Sequence, residues 1–333
     1  MNYVKAIRMT NLGLTFVPVL IATTVCGPSY YVHENFARIL LSCVGVQCGA
    51  QLVNTYFDYR KGVDSKKSIQ NTTLTGADVT LMEKKVHASH LLLMAALFYC
   101  AAAGVLYLPI GALPEKERDE LVSTVILAMV LSFFYSAEPV GLKYKGLGDI
   151  TVFMCFGPLL MQAVSIVLTG KSEEDNMMTL YSLPIGAVTV AIFHANNLRD
   201  INDDTTAGIT TFASLIGFDY SYLWYTALLV ISYTLCLLMS IVLHWGLLLV
   251  LLTMPSCTDL IERYQRGLLK DLDLKTSRLH MFFGLVFAAG IAISHDENMF
   301  QLLARKNVPE LLVEHMGPLI EFINKKVEEY GLL

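Results

Sequence analysis

Two segments of the chain place carboxylate and amide side chains at helical spacing. The first acidic cluster lies in NTYFDYRKGVD and contains Asn54, Asp58 and Asp64. The second acidic cluster lies in NNLRDINDD and comprises Asn196, Asn197, Asp200, Asp203 and Asp204. In both segments an Asn precedes an Asp by four residues, which puts the two side chains on one face of a helix. Each segment therefore predicts a polar ladder at a helix end.

Carboxylates this close together repel one another unless a cation lies between them. Oxygen ligands suit a hard ion such as Mg²⁺, and Mg²⁺ held by a few carboxylates keeps positions that phosphate oxygens can fill. The two clusters thus predict a Mg²⁺-dependent diphosphate site. The alternative for either cluster alone is a helix cap that solvates a loop, but two clusters with matching spacing favour the diphosphate site.

A third polar segment, YSAEPVGLKYKGLGD, contains two further candidate residues. Lys143 could neutralise a diphosphate leaving group, or it could be an ordinary loop lysine near a membrane surface. Tyr135 could face a cavity or belong to a belt of interfacial aromatic residues. His87 and His90 are interpreted as packing or interface residues, because no Cys or carboxylate ligand set accompanies them.

The composition indicates that a membrane surrounds these sites. Of the 333 residues, 54% are hydrophobic and 16% are charged, against about 25% charged in soluble domains. The mean hydropathy is +0.53, and no basic region suited to nucleic acid is present. The seven cysteines form no metal-type CxxC pair and are interpreted as reduced packing residues. The first apolar stretch lacks a signal-type cleavage site, so we expect it to remain as a span.

Apolar stretches long enough to cross about 30 Å of hydrocarbon occur nine times. They are residues 11–28, 37–58, 88–109, 121–138, 149–169, 179–198, 220–241, 243–261 and 279–295. We predict an all-α membrane protein, a bundle of about nine transmembrane helices around a central cavity. The domain would span 11–295, between a cytosolic segment at 1–10 and an amphipathic tail at 296–333. The first cluster lies at the end of the second span and the second cluster at the end of the sixth. This internal repeat predicts that the bundle brings the two clusters together across the cavity.

The basic residues predict the orientation of the bundle, because cytosolic loops collect Lys and Arg. With nine spans, 16 of the 24 Lys and Arg residues fall on the side of the N-terminus. We therefore predict that the N-terminus and both acidic clusters face the cytosol, and that the mouth of the cavity opens there.

Three segments resemble the UbiA prenyltransferase superfamily over residues 5–295. They are LVNTYFDYRKGVDSKKS, GLKYKGLGD followed by FGPL, and HANNLRD-x3-D-x2-AGI-x2-F-x3-IG. The resemblance implies a UbiA-type enzyme that joins an isoprenoid chain, delivered as its diphosphate, to an aromatic ring. It places Lys143 and Tyr135 beside the leaving group, and it assigns Mg²⁺ and the diphosphate to Asn54, Asp58, Asp64, Asn197, Asp200 and Asp204. We also predict substrate-binding roles for Asn54, Asn196, Asn197, Arg60, Lys61 and Arg199.

The form of the first motif favours one branch of the superfamily. Gly62 and Asp64 give the pattern N-x3-D-x3-G-x-D, which resembles the menaquinone (vitamin K2) branch more than the 4-hydroxybenzoate branch. That resemblance implies geranylgeranyl transfer to a naphthoquinol in the endoplasmic reticulum or Golgi, with a mitochondrial membrane as an alternative, and association with HMG-CoA reductase. The chain departs from the branch at residues 69–74, where an acidic and basic pair is missing, and after Arg8, where Met9 and Thr10 replace Pro and Trp.

Three other functions compete with this interpretation. A CDP-alcohol phosphotransferase also uses Asp clusters and metal, but its D-G-x2-A-R run is absent from this sequence. A 4-hydroxybenzoate prenyltransferase would share the fold and differ in its acceptor. A transporter or a non-catalytic isoprenoid or sterol sensor would bind an amphiphile without turnover.

Overall fold

The computed structural model describes residues 9–62, 87–172, 177–206 and 208–295, and these residues are almost entirely helical. Asp64 and the predicted tail at 296–333 lie outside these ranges. The α-helices are α1 (Gly13–Cys26), α2 (Glu34–Lys61), α3 (Ala88–Ala112), α4 (Glu115–Phe134), α5 (Gly148–Phe156), α6 (Pro158–Thr169), α7 (Met177–Arg199), α8 (Ile201–Thr206), α9 (Phe212–Val242), α10 (Met254–Gln265) and α11 (Leu272–His295). Short 3-10 helices lie at Met9–Leu12, Pro28–Val32, Leu142–Tyr144 and Trp245–Thr253.

The predicted all-helical membrane bundle is confirmed. The backbone N–H and C=O groups of a helix hydrogen bond to one another, and hydrocarbon offers them no other partners. All nine predicted stretches are largely helical, and seven described segments are long and apolar enough to cross a membrane: Glu34–Lys61, Ala88–Ala112, Gly148–Thr169, Met177–Arg199, Phe212–Val242, Trp245–Gln265 and Leu272–Ser294. The other two stretches correspond to α1, which has only 14 residues, and α4, which begins in the charged run EKERDE. Nine as a count of spans stays a prediction.

The predicted fifth span is interrupted in its middle. The chain leaves helical geometry at Gly157 (φ −104°, ψ −107°), and Pro158 begins the next helix. A Cβ added at Gly157 would lie 2.7 Å from the Phe153 carbonyl oxygen and 3.7 Å from Cα of Gly186 on α7. The absence of a side chain at Gly157 therefore leaves room for the Phe153 carbonyl oxygen at the break, while α7 packs there at ordinary van der Waals distance.

Helix α7 lies at the centre of the bundle and carries Asn196 and Asn197 of the second acidic cluster in its last turn, with Asp200 directly after it and Asp204 on the short helix α8 that follows. It packs against α1, α5, α6, α9 and α11, and most of its residues are buried. Helix α2 carries the first acidic cluster and packs chiefly against α3. The loop between α4 and α5 contains Lys143. These three elements set the positions of the site.

The crossing of α11 with the 3-10 helix Trp245–Thr253 predicts a large effect of adding one methyl group. A Cβ added at Gly290 would overlap the carbonyl oxygen of Gly246, whereas one added at Gly104 of α3 would meet nothing within 4 Å. We expect Gly290→Ala to destabilise the fold by about 1–3 kcal/mol or more, because neither backbone can give way. Thermal unfolding in detergent measures this as a lower Tm. Gly104→Ala is the matched control, and an equal Tm for the two variants would contradict the packing argument.

Candidate active site

The first acidic cluster forms at the last turns of α2. Asn54 and Asp58 lie one turn apart, and the Asn54 amide Nδ2 donates a hydrogen bond to Asp58 Oδ2 (2.8 Å). The helix ends at Gly62, whose φ of 73° lies in the left-handed region that favours glycine. Asp58 is buried, with only 5% of its surface exposed. A buried carboxylate needs positive charge or hydrogen-bond donors nearby.

Lys143 supplies that positive charge from the loop between α4 and α5. Its ammonium lies 2.6 Å from Asp58 Oδ1 and 2.8 Å from Oδ2, and it donates to Asn54 Oδ1 (2.6 Å). The loop adds two donors that sequence reasoning missed. Tyr144 donates to Asp58 Oδ1 (2.7 Å) and Ser136 donates to Asn54 Oδ1 (2.7 Å). Both residues lie in the third polar segment, and that position is the sequence signal by which they could have been found.

The second acidic cluster is organised differently, by an arginine of its own helix. Arg199 binds both carboxylate oxygens of Asp200 (2.9 Å each), and it donates to Asn196 Oδ1 (2.7 Å). It also reaches Asp273 Oδ2 on α11 (2.8 Å). The two clusters therefore share their spacing but not their partners, and Arg199 ties the end of α7 to α11.

Asp204 is the carboxylate of this region with the least compensation. It is 5% exposed, and burial raises its pKa to about 7. The nearby charges of Asp200 and Asp58 push in the same direction, while Lys143 and a hydrogen bond with Thr211 oppose them. A carboxylate this reluctant to ionise marks a place where an additional cation would be favourable.

Both clusters line one cavity with a polar and an apolar end. At the polar end lie Asn54, Asp58, Lys143, Asn196, Asn197, Asp200 and Asp204. The remaining wall is largely apolar and includes Ile39, Val46, Leu106, Val152, Phe156, Leu159 and Leu160. Tyr135 lines this cavity too, with its ring centroid 5.9 Å from the Lys143 ammonium and edge-on to Phe193. Such a cavity suits an amphiphile with an anionic head and a hydrocarbon tail.

Three residues that we predicted to bind substrate are not among the residues that line the cavity. Arg60 is exposed and lies over the Tyr56 ring, and Lys61 pairs with Glu138 (2.8 Å). That hydrogen bond lowers the pKa of Glu138. Arg199 hydrogen bonds to two residues that do line it, Asp200 and Asn196. Asp64, the third residue of the first cluster, lies outside the described residues.

The donor set fits Mg²⁺, although the described residues contain no cluster of three or more His, Cys, Asp or Glu side chains poised around a metal. Asp58 and Asp200 instead pair with Lys143 and Arg199. The available ligands are carboxylate and amide oxygens, which Mg²⁺ prefers, and Asp204 has spare capacity for positive charge. If a Mg²⁺–diphosphate complex binds here, Asn54, Asp58, Asn197, Asp200 and Asp204 are the described residues able to hold it.

The fold and the site together define a helical membrane protein whose cavity is polar where the two clusters meet and largely apolar along the rest of its wall. The sequence profile of the UbiA prenyltransferase family matches residues 15–286. The chain belongs to this family.

Relatives and solved structures agree with this assignment. The UbiA prenyltransferase domain-containing protein 1 of Dictyostelium discoideum is 30% identical over 298 residues, which cover 88% of each chain. The mouse protein of the same name is 30% identical over 300 residues, 88% of this chain and 84% of the mouse chain. The apo structure of a UbiA homolog from Aeropyrum pernix K1 matches with a TM-score of 0.64 at 12% identity, over 86% of this chain and 99% of that chain. A UbiA homolog from Archaeoglobus fulgidus, bound to DMAPP and Mg²⁺, matches with a TM-score of 0.60 at 14% identity, over 88% and 100%.

Proposed function

We propose that this protein is a Mg²⁺-dependent prenyltransferase that moves a polyprenyl group, geranylgeranyl in our assignment, from its diphosphate to a naphthoquinol in menaquinone synthesis. The observation that carries the proposal is one cavity that has Lys143 and both acidic clusters at its polar end and apolar walls beyond them. Family membership supports transfer from a prenyl diphosphate, and so does the Archaeoglobus fulgidus homolog bound to DMAPP and Mg²⁺.

The reaction that this arrangement suits begins with loss of the diphosphate. The C1–O bond breaks, its electron pair stays on the diphosphate, and an allylic cation remains. Lys143 would stabilise the departing charge, and bound Mg²⁺ would add positive charge at the same oxygens. The apolar wall would keep water from the cation, and the Tyr135 ring would face it from beside Lys143. An electron-rich ring carbon then bonds to C1, and loss of its proton restores aromaticity.

The choice of a neutral acceptor is supported by the polar groups along the cavity wall. Among the described residues that line it, Lys143 is the one basic side chain, and in this proposal the diphosphate occupies it. The other polar groups towards α1 and the middle of α2 are neutral: Asn11, Thr15, Ser42, Gln47 and Gln51. A benzoate carboxylate would be buried there without a cation, which is costly, whereas quinol hydroxyls need only hydrogen bonds.

We expect the purified protein to prenylate reduced menadione with geranylgeranyl diphosphate and Mg²⁺, and to leave 4-hydroxybenzoate nearly unreacted. We expect kcat/KM to be about 100-fold higher for reduced menadione than for 4-hydroxybenzoate. The reason is that the benzoate carboxylate would be an unpaired, partly solvated charge in the cavity. Mass detection of product in parallel reactions measures it. A higher kcat/KM for 4-hydroxybenzoate would contradict the acceptor assignment and leave the prenyltransferase assignment intact. Binding of the diphosphate without any product would instead support a sensor.

The membrane orientation stays a prediction, with the cavity mouth facing the cytosol of the endoplasmic reticulum or Golgi. Lys145 and Lys171 are both exposed and fall in loops predicted on opposite sides. In a cysteine-free background, Lys145→Cys should react with an impermeant thiol reagent from the cytosolic side, and Lys171→Cys from the other side only. Labelling of both from one side would contradict the span count. Association with HMG-CoA reductase is the corresponding proposal for a partner, and co-purification from membranes would test it.

A further inference from the structure

A buried polar network behind the cavity wall joins three helices. Asp149, in the first turn of α5, lies 2.9 Å from Nδ1 of His194 on α7, and its Oδ2 accepts a hydrogen bond from Trp224 Nε1 on α9 (3.0 Å). His194 is fully buried and Asp149 is 5% exposed. Phe212 packs edge-on against both rings. We call these three polar residues the Asp149 network.

The network is costly to the fold, which calls for a reason for its presence. Asp149 Oδ1 and His194 Nε2 are buried and have no hydrogen-bond partner among the described residues. A buried polar group without a partner destabilises the folded state relative to a satisfied one. An apolar pair of similar volume would avoid that cost. The network therefore has a role other than stabilising the fold.

Its position connects the two halves of the proposed site. Gly148, next to Asp149, packs against Lys143 and Tyr135, the two residues predicted to lie beside the leaving group. A Cβ added at Gly148 would lie 3.4 Å from Lys143 Cα and Cβ and 3.6 Å from the Tyr135 ring. His194 lies three residues before Asn197 on α7, so the two are neighbours on that helix. Trp224 ties the same carboxylate oxygen of Asp149, Oδ2, to α9.

We propose that Asp149 and His194 are positioning residues that hold the start of α5, and through it Lys143, at its working distance from the second acidic cluster. Neither residue lines the cavity, so neither touches the substrate in this assignment. The proposal rests on the proposed function, because the reaction that needs the positioning is prenyl transfer. Misplacement of a charge-stabilising group affects kcat more than binding.

The test uses the full-length protein in detergent or nanodiscs, with geranylgeranyl diphosphate, Mg²⁺ and reduced menadione. Asp149→Asn keeps the shape and is expected to lower kcat by about 10-fold or more, with KM for the diphosphate within about 3-fold. In a Lys143→Gln background the same change should add less than about 2-fold, because residues that act through one another are not additive. Trp224→Phe removes the hydrogen bond to Asp149 Oδ2 from a partly exposed ring. We expect it to lower kcat by less than Asp149→Asn does, and again to add little in the Lys143→Gln background.

A matched control separates positioning from a general loss of packing. His280 is also fully buried, and its hydrogen bond to Thr189 (3.0 Å) joins α11 to α7 rather than to α5. His280→Asn should lower Tm while leaving kcat nearly unchanged. Equal losses of kcat for His280→Asn and Asp149→Asn, or additivity with Lys143→Gln, would overturn the proposal. If Asp149→Asn does not fold, Trp224→Phe carries the same comparison.

A readout independent of turnover separates this inference from the proposed function. The chain has two tryptophans, so Trp224 is the remaining tryptophan in Trp245→Phe, and its emission can be excited selectively over that of the tyrosines. Addition of Mg²⁺ with geranylgeranyl diphosphate should change its emission, and Asp149→Asn should abolish the change. Absence of product from the wild type would count against the proposed function, and absence of any emission response would count against the network.

Discussion

Asp58→Asn and Asp200→Asn are each expected to lower kcat/KM for prenyl transfer by about 10²–10⁴-fold, the scale on which positioned charges and metal ligands act in catalysis. The carboxamide keeps the volume and one acceptor oxygen but removes the negative charge. At Asp58 the change leaves the Lys143 ammonium without its carboxylate partner, and at Asp200 it breaks the bidentate contact with Arg199. Turnover measured against Mg²⁺ concentration should require more Mg²⁺ in both variants.

The control for this pair is a carboxylate of the same type outside the site. Asp259 lies on α10, is 59% exposed in its side chain and pairs with Arg263 one turn away. Such a surface pair contributes about 0–1 kcal/mol to stability, so Asp259→Asn should behave like the wild type. Near-normal kcat/KM and unchanged Mg²⁺ dependence in both Asp58→Asn and Asp200→Asn would show that the clusters are solvated helix ends.

Lys143→Gln is expected to lower kcat by about 10²–10³-fold with a smaller change in KM, because the ammonium would act on charge that develops as the C1–O bond breaks. Glutamine can still hydrogen bond to Asn54 but carries no charge. Lys143→Arg should fall between the two, since it restores the charge with a planar geometry and greater bulk. Steady-state rates over a range of diphosphate concentrations separate kcat from KM.

Two features of the Lys143 experiment distinguish its role from that of the carboxylates. The Mg²⁺ requirement should not rise in Lys143→Gln, because removal of a cation beside Asp58 favours metal binding there. Lys145 is two residues away, exposed, and donates to the Pro139 carbonyl (3.3 Å), so Lys145→Gln is the matched control. Equal rates for Lys143→Gln and Lys145→Gln would assign Lys143 to ordinary loop charge.

The helices and both polar ladders could be predicted from sequence because they depend on short-range physics. Apolar stretches of this length must be helical in hydrocarbon, and a separation of four residues places Asn54 and Asp58 on one face. The break at Gly157 was missed, because apolarity continues through it and only the folded backbone shows that a Cβ there would meet the Phe153 carbonyl oxygen. The structure of the tail and of Asp64 stays a prediction.

The sequence by itself determined the membrane class and the helical segments, and it supplied the candidate residues for the chemistry, since composition and periodicity are local properties. Tertiary structure decided which partner each of these residues has. Lys143 and Tyr135 each had two interpretations until the loop after α4 was folded against α2. Arg199 meets Asp273 across 74 residues of sequence, and Asp149 meets His194 across 45. Such pairs depend on which helix faces meet in the packed bundle, and no local pattern encodes that choice.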